Sequence, residues 1–238
     1  MVVFYILSNL FLLIESINGD SEIMSKPLND IATFDINCRR CPRLSSFLDD
    51  VREKHPDYHG LPVAPFGDEK ARFLIVGLAP GMHGANASGR PFTGDHAGVI
   101  LYETLHRYGF ASAAESVSAD DGLKLKNCRI TNAVKCLPPA NKPVGSEVNE
   151  CNSYLTEELS ALEPGSVVLA LGGLSHKACV KALGGRQKDY PFGHLVEKEL
   201  SQLTLLDSYH CSRYNTQTRR LTPQMFDAVF DRIKQLLE

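Results

Sequence analysis

The chain has 238 residues, of which 43% are hydrophobic and 22% charged, enough for one ordinary globular α/β domain with at most a short appendage. Its formal charge of -3 argues against a globally basic nucleic-acid binder. Any such contact must rest on local clusters: Arg39, Arg40 and Arg43 near the start, and Arg213, Arg219 and Arg220 near the end. Seven cysteines, an odd number, argue against a fully paired disulfide framework and point to a reducing, cytoplasmic setting, with thiols on a metal or in the core.

Residues 1–14 are strongly apolar, yet no Lys or Arg precedes them and no A-x-A-like cleavage site follows. The run is also short of the roughly 20 residues that a membrane helix needs, so no membrane association is expected. Met24 opens a polar segment that suits the start of a folded domain. Residues 1–23 therefore read as an upstream extension outside the fold, and residues 24–238 as the domain.

Next along the chain, Cys38-x2-Cys41 precedes the first strand signal, Phe73–Gly77 (FLIVG). Helical spacing follows over residues 98–109, with Val99, Tyr102, Leu105 and His106 read as one face, and residues 111–120 read as a surface loop or frayed helix end. A second apolar run, residues 128–132 (CRITN), leads into Cys136 and Cys151, the latter inside a helical pattern over residues 146–162. A third run, Val167–Leu171, precedes a helix at residues 174–183, and a fourth, Leu203–Ser208, precedes a polar, arginine-bearing loop. A helix over residues 224–237 closes the chain, started by Thr222-Pro223. Nearly continuous apolar runs are what strands buried on both faces look like. Their alternation with helices predicts a central four-stranded parallel sheet inside a three-layer α/β sandwich, with ligands beyond the strands' carboxyl ends.

Every chemical motif falls at such an end. The first strand runs into GLAPGMHGANASGRPFTGD, a glycine-rich loop without the Gly-Lys-Ser/Thr ending of a nucleotide P-loop. The second runs into Asn132, whose amide offers a donor and an acceptor and so matches a pyrimidine edge. The fourth runs into His210 and CSRYNTQTRRLTP. Four cysteines in two pairs can close one soft-ligand site, and spacing alone leaves zinc and iron–sulfur open. Cys128 and Cys179 lie in apolar segments and read as core, while Cys211 is ambiguous.

Together GLAPG, GRPFTGD, ITNAVKC and HCSRYNTQTRRLTP, with the four spaced cysteines, resemble the family 5 uracil-DNA glycosylases from about Asn37 onward. Family 4 relatives carry an acid second in the first motif, where this chain has Leu78; Cys211 departs from the Pro or Val frequent in relatives. The resemblance implies the uracil-DNA glycosylase-like fold, a [4Fe–4S] cluster on Cys38, Cys41, Cys136 and Cys151, and a monomer acting on double-stranded DNA. It further implies a base pocket of Gly77, Leu78, Ala79, Phe92 and Asn132, with His210 on the leaving base and the segment 212–220 as wedge. Asn86, or Asp95 at longer reach, is the expected positioner of water, and Arg213, Arg219 and Arg220 of DNA. Without a carboxylate at Leu78, other deaminated bases such as hypoxanthine are expected substrates beside uracil. The alternative is a non-catalytic iron–sulfur module that binds nucleic acid or senses redox state.

Overall fold

The four apolar runs become the centre of one sheet: every residue of three of them is buried, and each strand has a paired neighbour on both sides. The computed structural model describes residues 33–238, so the expectation for residues 1–23 lies outside the described residues. In chain order the elements are α1 (Pro42–Lys54), β1 (Phe66–Gly67), β2 (Phe73–Gly77), α2 (Ala85–Ser88), α3 (His96–Arg107) and β3 (Arg129–Asn132). They continue with α4 (Gly145–Ser160), β4 (Val167–Leu171), α5 (Gly173–Ala182), β5 (Glu197–Leu200), β6 (Leu203–Ser208), α6 (Arg213–Gln217) and α7 (Pro223–Leu237).

The sheet runs β1-β3-β2-β4-β6-β5. Its inner four strands are parallel, as expected, and β1 and β5 add antiparallel edges that the apolar pattern did not reveal. β1 has only two residues, and β5 (EKEL) carries the charges with which edge strands discourage further pairing.

Alternate side chains of β2 point to opposite faces and divide the core in two. Phe73 and Ile75 pack with Leu101, Tyr102 and Leu105 of α3 and with Phe226, Val229 and Phe230 of α7. Leu74 and Val76 pack with Leu155 and Leu159 of α4 and Ala178 and Val180 of α5. The result is the predicted three-layer sandwich. Cys128 and Cys179 belong to these two cores.

The face proposed for the helix after the glycine-rich loop needs correction. Val99 is 62% exposed and His106 is exposed, while Ala97, Leu101, Tyr102 and Leu105 are buried. At 3.6 residues per turn, positions 97, 101 and 105 share a face that 99 and 106 do not. α1 was not foreseen, since its buried face is only Leu44, Leu48 and Val51 among charged neighbours. It packs on α4 and on the segment after β3, through Val134, Leu137 and Tyr154.

Candidate active site and cysteine cavity

Three parallel strands end around one cleft of about 550 Å³, lined among others by Leu78, Ala79, Phe92, Asp95, Asn132 and His210. Gly77 closes β2 opposite Asn132 in β3, and pairing continues past both strands, with Ala133 N–H donating to the Gly77 carbonyl and Val134 N–H to that of Leu78, each at 2.9 Å. Only glycine fits at position 77: a Cβ there would lie 2.3 Å from Asn132 Oδ1 and 2.7 Å from the Phe92 ring. Gly77 thus lies beneath the asparagine and the aromatic ring that the sequence reading paired.

Phe92 is buried and holds a positive φ of 56°, an uncommon conformation for a bulky residue. α3 fixes it from below. Gly98 passes so close that a Cβ would meet the Phe92 carbonyl oxygen at 1.7 Å, and the buried Tyr102 hydroxyl donates to the Pro91 carbonyl at 2.8 Å. The Phe92 ring stacks near His210, with centroids 5.9 Å apart and planes 24° apart.

His210 keeps part of its surface on the cleft, while its Nδ1 is fully buried without a partner among the described residues. Burial pushes the imidazole below its ordinary pKa, and the charge of Asp95 pulls weakly the other way. A neutral ring with a free N–H can donate to an oxygen that gains charge. Asp95 is the only carboxylate among the lining residues, and one of its oxygens caps α3 by accepting from Gly98 N–H at 2.8 Å. Asn86 is wholly buried behind the lining residue Ala85; its Nδ2 donates weakly to Met82 at 3.4 Å, and its Oδ1 has no partner among the described residues.

The segment read as a wedge contains α6, capped by Ser212. Asn215 Nδ2 donates to the His210 carbonyl at 2.8 Å, and His96 of α3 meets Thr216 Oγ1 at 3.1 Å, so α6 is tied to the histidine and to α3. Tyr214, which the sequence reading left without a role, projects from it 70% exposed. Of the three arginines, Arg213 lines the cleft, Arg219 lines a separate cavity beside α3 and α7, and Arg220 lies 4.8 Å over the Tyr209 ring. Cys211 is buried against Ala97, which makes it a packing residue for the turn after β6.

Sequence reasoning also missed Lys135, Arg90 and the Tyr58–His83 pair. Arg90 is buried and bonds Asp121 at 2.7 Å, Ser116 at 2.9 Å and the Ala119 carbonyl at 2.6 Å, so it holds the segment 112–122 against the glycine loop. Tyr58 meets His83 Nδ1 at 2.8 Å at the cleft's edge. Each sits inside or beside a quoted motif, but a single sequence gives no sign of its distant partner.

Cys38, Cys41, Cys136 and Cys151 line one small cavity between α1, α4 and the segment after β3. Among the described residues no group of three or more His, Cys, Asp or Glu side chains is placed to hold a metal ion. Burial pushes the Cys41 thiol up to about 11, with the neighbouring thiolates and Glu147 adding to it. Burial raises Cys136 and Cys151 likewise, whereas at Cys38 the Tyr154 hydroxyl and Arg40 outweigh it and bring the thiol down. Arg39, Arg40 and Arg43, one of the two basic clusters, pair with Asp49, Glu150 and Glu147.

A family profile described as the uracil DNA glycosylase superfamily matches residues 64–234. A type-5 uracil-DNA glycosylase of Thermus thermophilus is 43% identical over 205 residues, which cover 84% of this chain and 93% of that protein. One of Pyrobaculum aerophilum is 42% identical over 201 residues, 83% of this chain and 88% of its own length. A type-4 enzyme of Archaeoglobus fulgidus is 34% identical over 146 residues, 61% of this chain and 59% of its own. The chain belongs to the uracil DNA glycosylase superfamily, and within it to the type-5 family.

Proposed function

We propose that the protein is a DNA-repair glycosylase that draws uracil out of DNA into the cleft and hydrolyses its N-glycosidic bond, leaving an abasic site. The observation that carries this reading is the meeting of Leu78, Phe92, Asn132 and His210 in one cleft beyond the carboxyl ends of β2, β3 and β6, in a chain of this family. A stacked base is out of reach of any catalytic group, so it has to be extruded first. Tyr214 and α6 are the wedge that fills its place, and Arg213, Arg219 and Arg220 meet phosphates.

In the cleft the base lies on Phe92, and the Asn132 amide pairs with its donor–acceptor edge. As the glycosidic bond breaks, negative charge builds on the base's carbonyl oxygens. Neutral His210 donates to one of them, a fixed donor aimed where charge develops. Positive charge builds on the sugar at the same time, and the Asp95 carboxylate offsets it. The unpartnered Asn86 oxygen suits a held water, because buried acceptors are rarely left unsatisfied. Asp95 is the one carboxylate among the described residues that line the cleft, so the route is dissociative, with departure of the base ahead of attack by water. Leu78 and Ala79 leave the pocket wall apolar, which favours acceptance of hypoxanthine as well as uracil.

The four cysteines that line the small cavity between α1, α4 and the segment after β3 supply the all-thiolate donor set that a [4Fe–4S] cluster takes. Burial opposes ionisation of Cys41, Cys136 and Cys151, and a bound cationic cluster would offset that. Held by Cys38, Cys41, Cys136 and Cys151, a cluster would tie α1 and α4 to the segment that follows Asn132. The non-catalytic alternative gains no support from membership in a glycosylase family.

Excision from double-stranded oligonucleotides carrying uracil or hypoxanthine, followed by alkaline strand cleavage, tests this. Full activity of both Asn132→Ala and His210→Ala would overturn it.

A further inference from the structure

Behind the cleft lies a buried cation that the mechanism above does not use. Lys135 is 1% exposed, and each of the three N–H bonds of its ammonium has an acceptor: Thr131 Oγ1 at 2.5 Å, the Asn132 carbonyl at 2.9 Å and Glu158 Oε1 at 2.6 Å. Two of these acceptors belong to the last two residues of β3, and the third stands on α4. Its main chain is held as well, with Lys135 N–H donating to Cys151 Sγ at 3.3 Å and its carbonyl accepting from Val63 N–H at 2.7 Å.

A buried ion pair is a poor route to stability, since apolar replacements of the whole pair are often neutral or better. What it supplies is direction. An amide reads a base edge only if its oxygen and nitrogen face the correct way, and a backbone free to shift would spoil that orientation. We propose that Lys135, anchored by Glu158, is a positioning residue for base recognition: it fixes the main chain of Asn132 so that the amide enters the cleft in one orientation. This rests on the reading of Asn132 given above.

A double-mutant cycle on the full chain tests it. Lys135→Met is combined with Glu158→Leu, so that no lone carboxylate stays buried, and the pair is placed in the wild-type and the Asn132→Ala backgrounds. Single-turnover excision of uracil should fall on the order of 10- to 100-fold in the first background, with affinity for DNA unchanged. In the second it should fall no further, because no amide is left to orient. Thermal denaturation accompanies each variant. If the Met/Leu pair does not fold, Lys135→Arg is read in the same cycle with the same expectation, since it keeps the charge but displaces the contact with Asn132. Equal losses in both backgrounds, with Asn132→Ala itself impaired, would overturn the positioning role and leave the reading of Asn132 intact. An Asn132→Ala enzyme with full activity would instead overturn that reading, and the proposal with it.

Discussion

The strands β3 and β6 each end in one polar side chain at the cleft, Asn132 and His210, and the two ends are held in different ways. Behind Asn132 stand a charged network and a continued backbone ladder: Lys135 on its carbonyl, and Ala133 bonded to Gly77. Behind His210 stand rings and one amide: Phe92 on its face, Tyr209 stacked with His194 at 5.0 Å, and Asn215 on its carbonyl. The contrast follows from what each group has to do. An amide must be oriented, because its two ends differ, and directional bonds orient. An imidazole can donate to a developing anion from a ring N–H in either charge state, so it needs less directional support, and its desolvated setting shifts it toward the neutral form.

Breaking either end is the severest test. Asn132→Ala and His210→Ala should each lower the single-turnover rate by about 10²–10³, and excision assays on matched duplexes check this. The two losses should differ in kind, with Asn132→Ala also eroding the preference among bases. Gly77→Ala touches both ends at once, since its Cβ collides with Asn132 and Phe92; a loss on the order of 10²-fold with little change in melting temperature is expected.

The histidine end carries a pH signature. Because burial lowers the folded value, the unfolded chain binds more protons between that value and the ordinary one of about 6.5. Its contribution to stability therefore falls as pH drops through this window. An NMR titration of the His210 ring should give a midpoint below about 6.5, lower still in Asp95→Asn, which removes the opposing charge. A midpoint above the ordinary value would break the contrast between the two ends. Smallest are the arginines: Arg213→Ala, Arg219→Ala and Arg220→Ala should each weaken duplex binding a few-fold and reduce the salt slope by about 1, as read from binding isotherms at several salt concentrations.

The four inner strands were legible because a doubly buried strand is almost unbroken apolar sequence, and the cleft was legible because such strands put ligands at their ends. Asn132 and His210 stood out as polar residues at or just beyond those ends, while Phe92 came with the family resemblance. What could not be read was anything that depends on a distant partner. Lys135 and Glu158 are 23 residues apart, and no local spacing links them. Arg90 sat inside a quoted motif, yet its partner, Asp121, lies just beyond the segment 111–120 that reads only as a surface loop or frayed helix end. The phase of α3 was misjudged for a different reason: Val99 is apolar but faces outward, and in a short helix one such residue turns the inferred face.

The first basic cluster is spent internally, on Asp49, Glu150 and Glu147. On the function proposed above, Arg213, Arg219 and Arg220 are the basic cluster that would hold undamaged DNA, in a chain of charge -3. Three neutralised phosphates give a binding constant that falls only about 40-fold between 50 and 200 mM salt, against about 10³–10⁵ for proteins that make 6–10 such contacts. An enzyme so lightly held samples a duplex by short visits and frequent departures, and a long stay at any one place comes from the captured base.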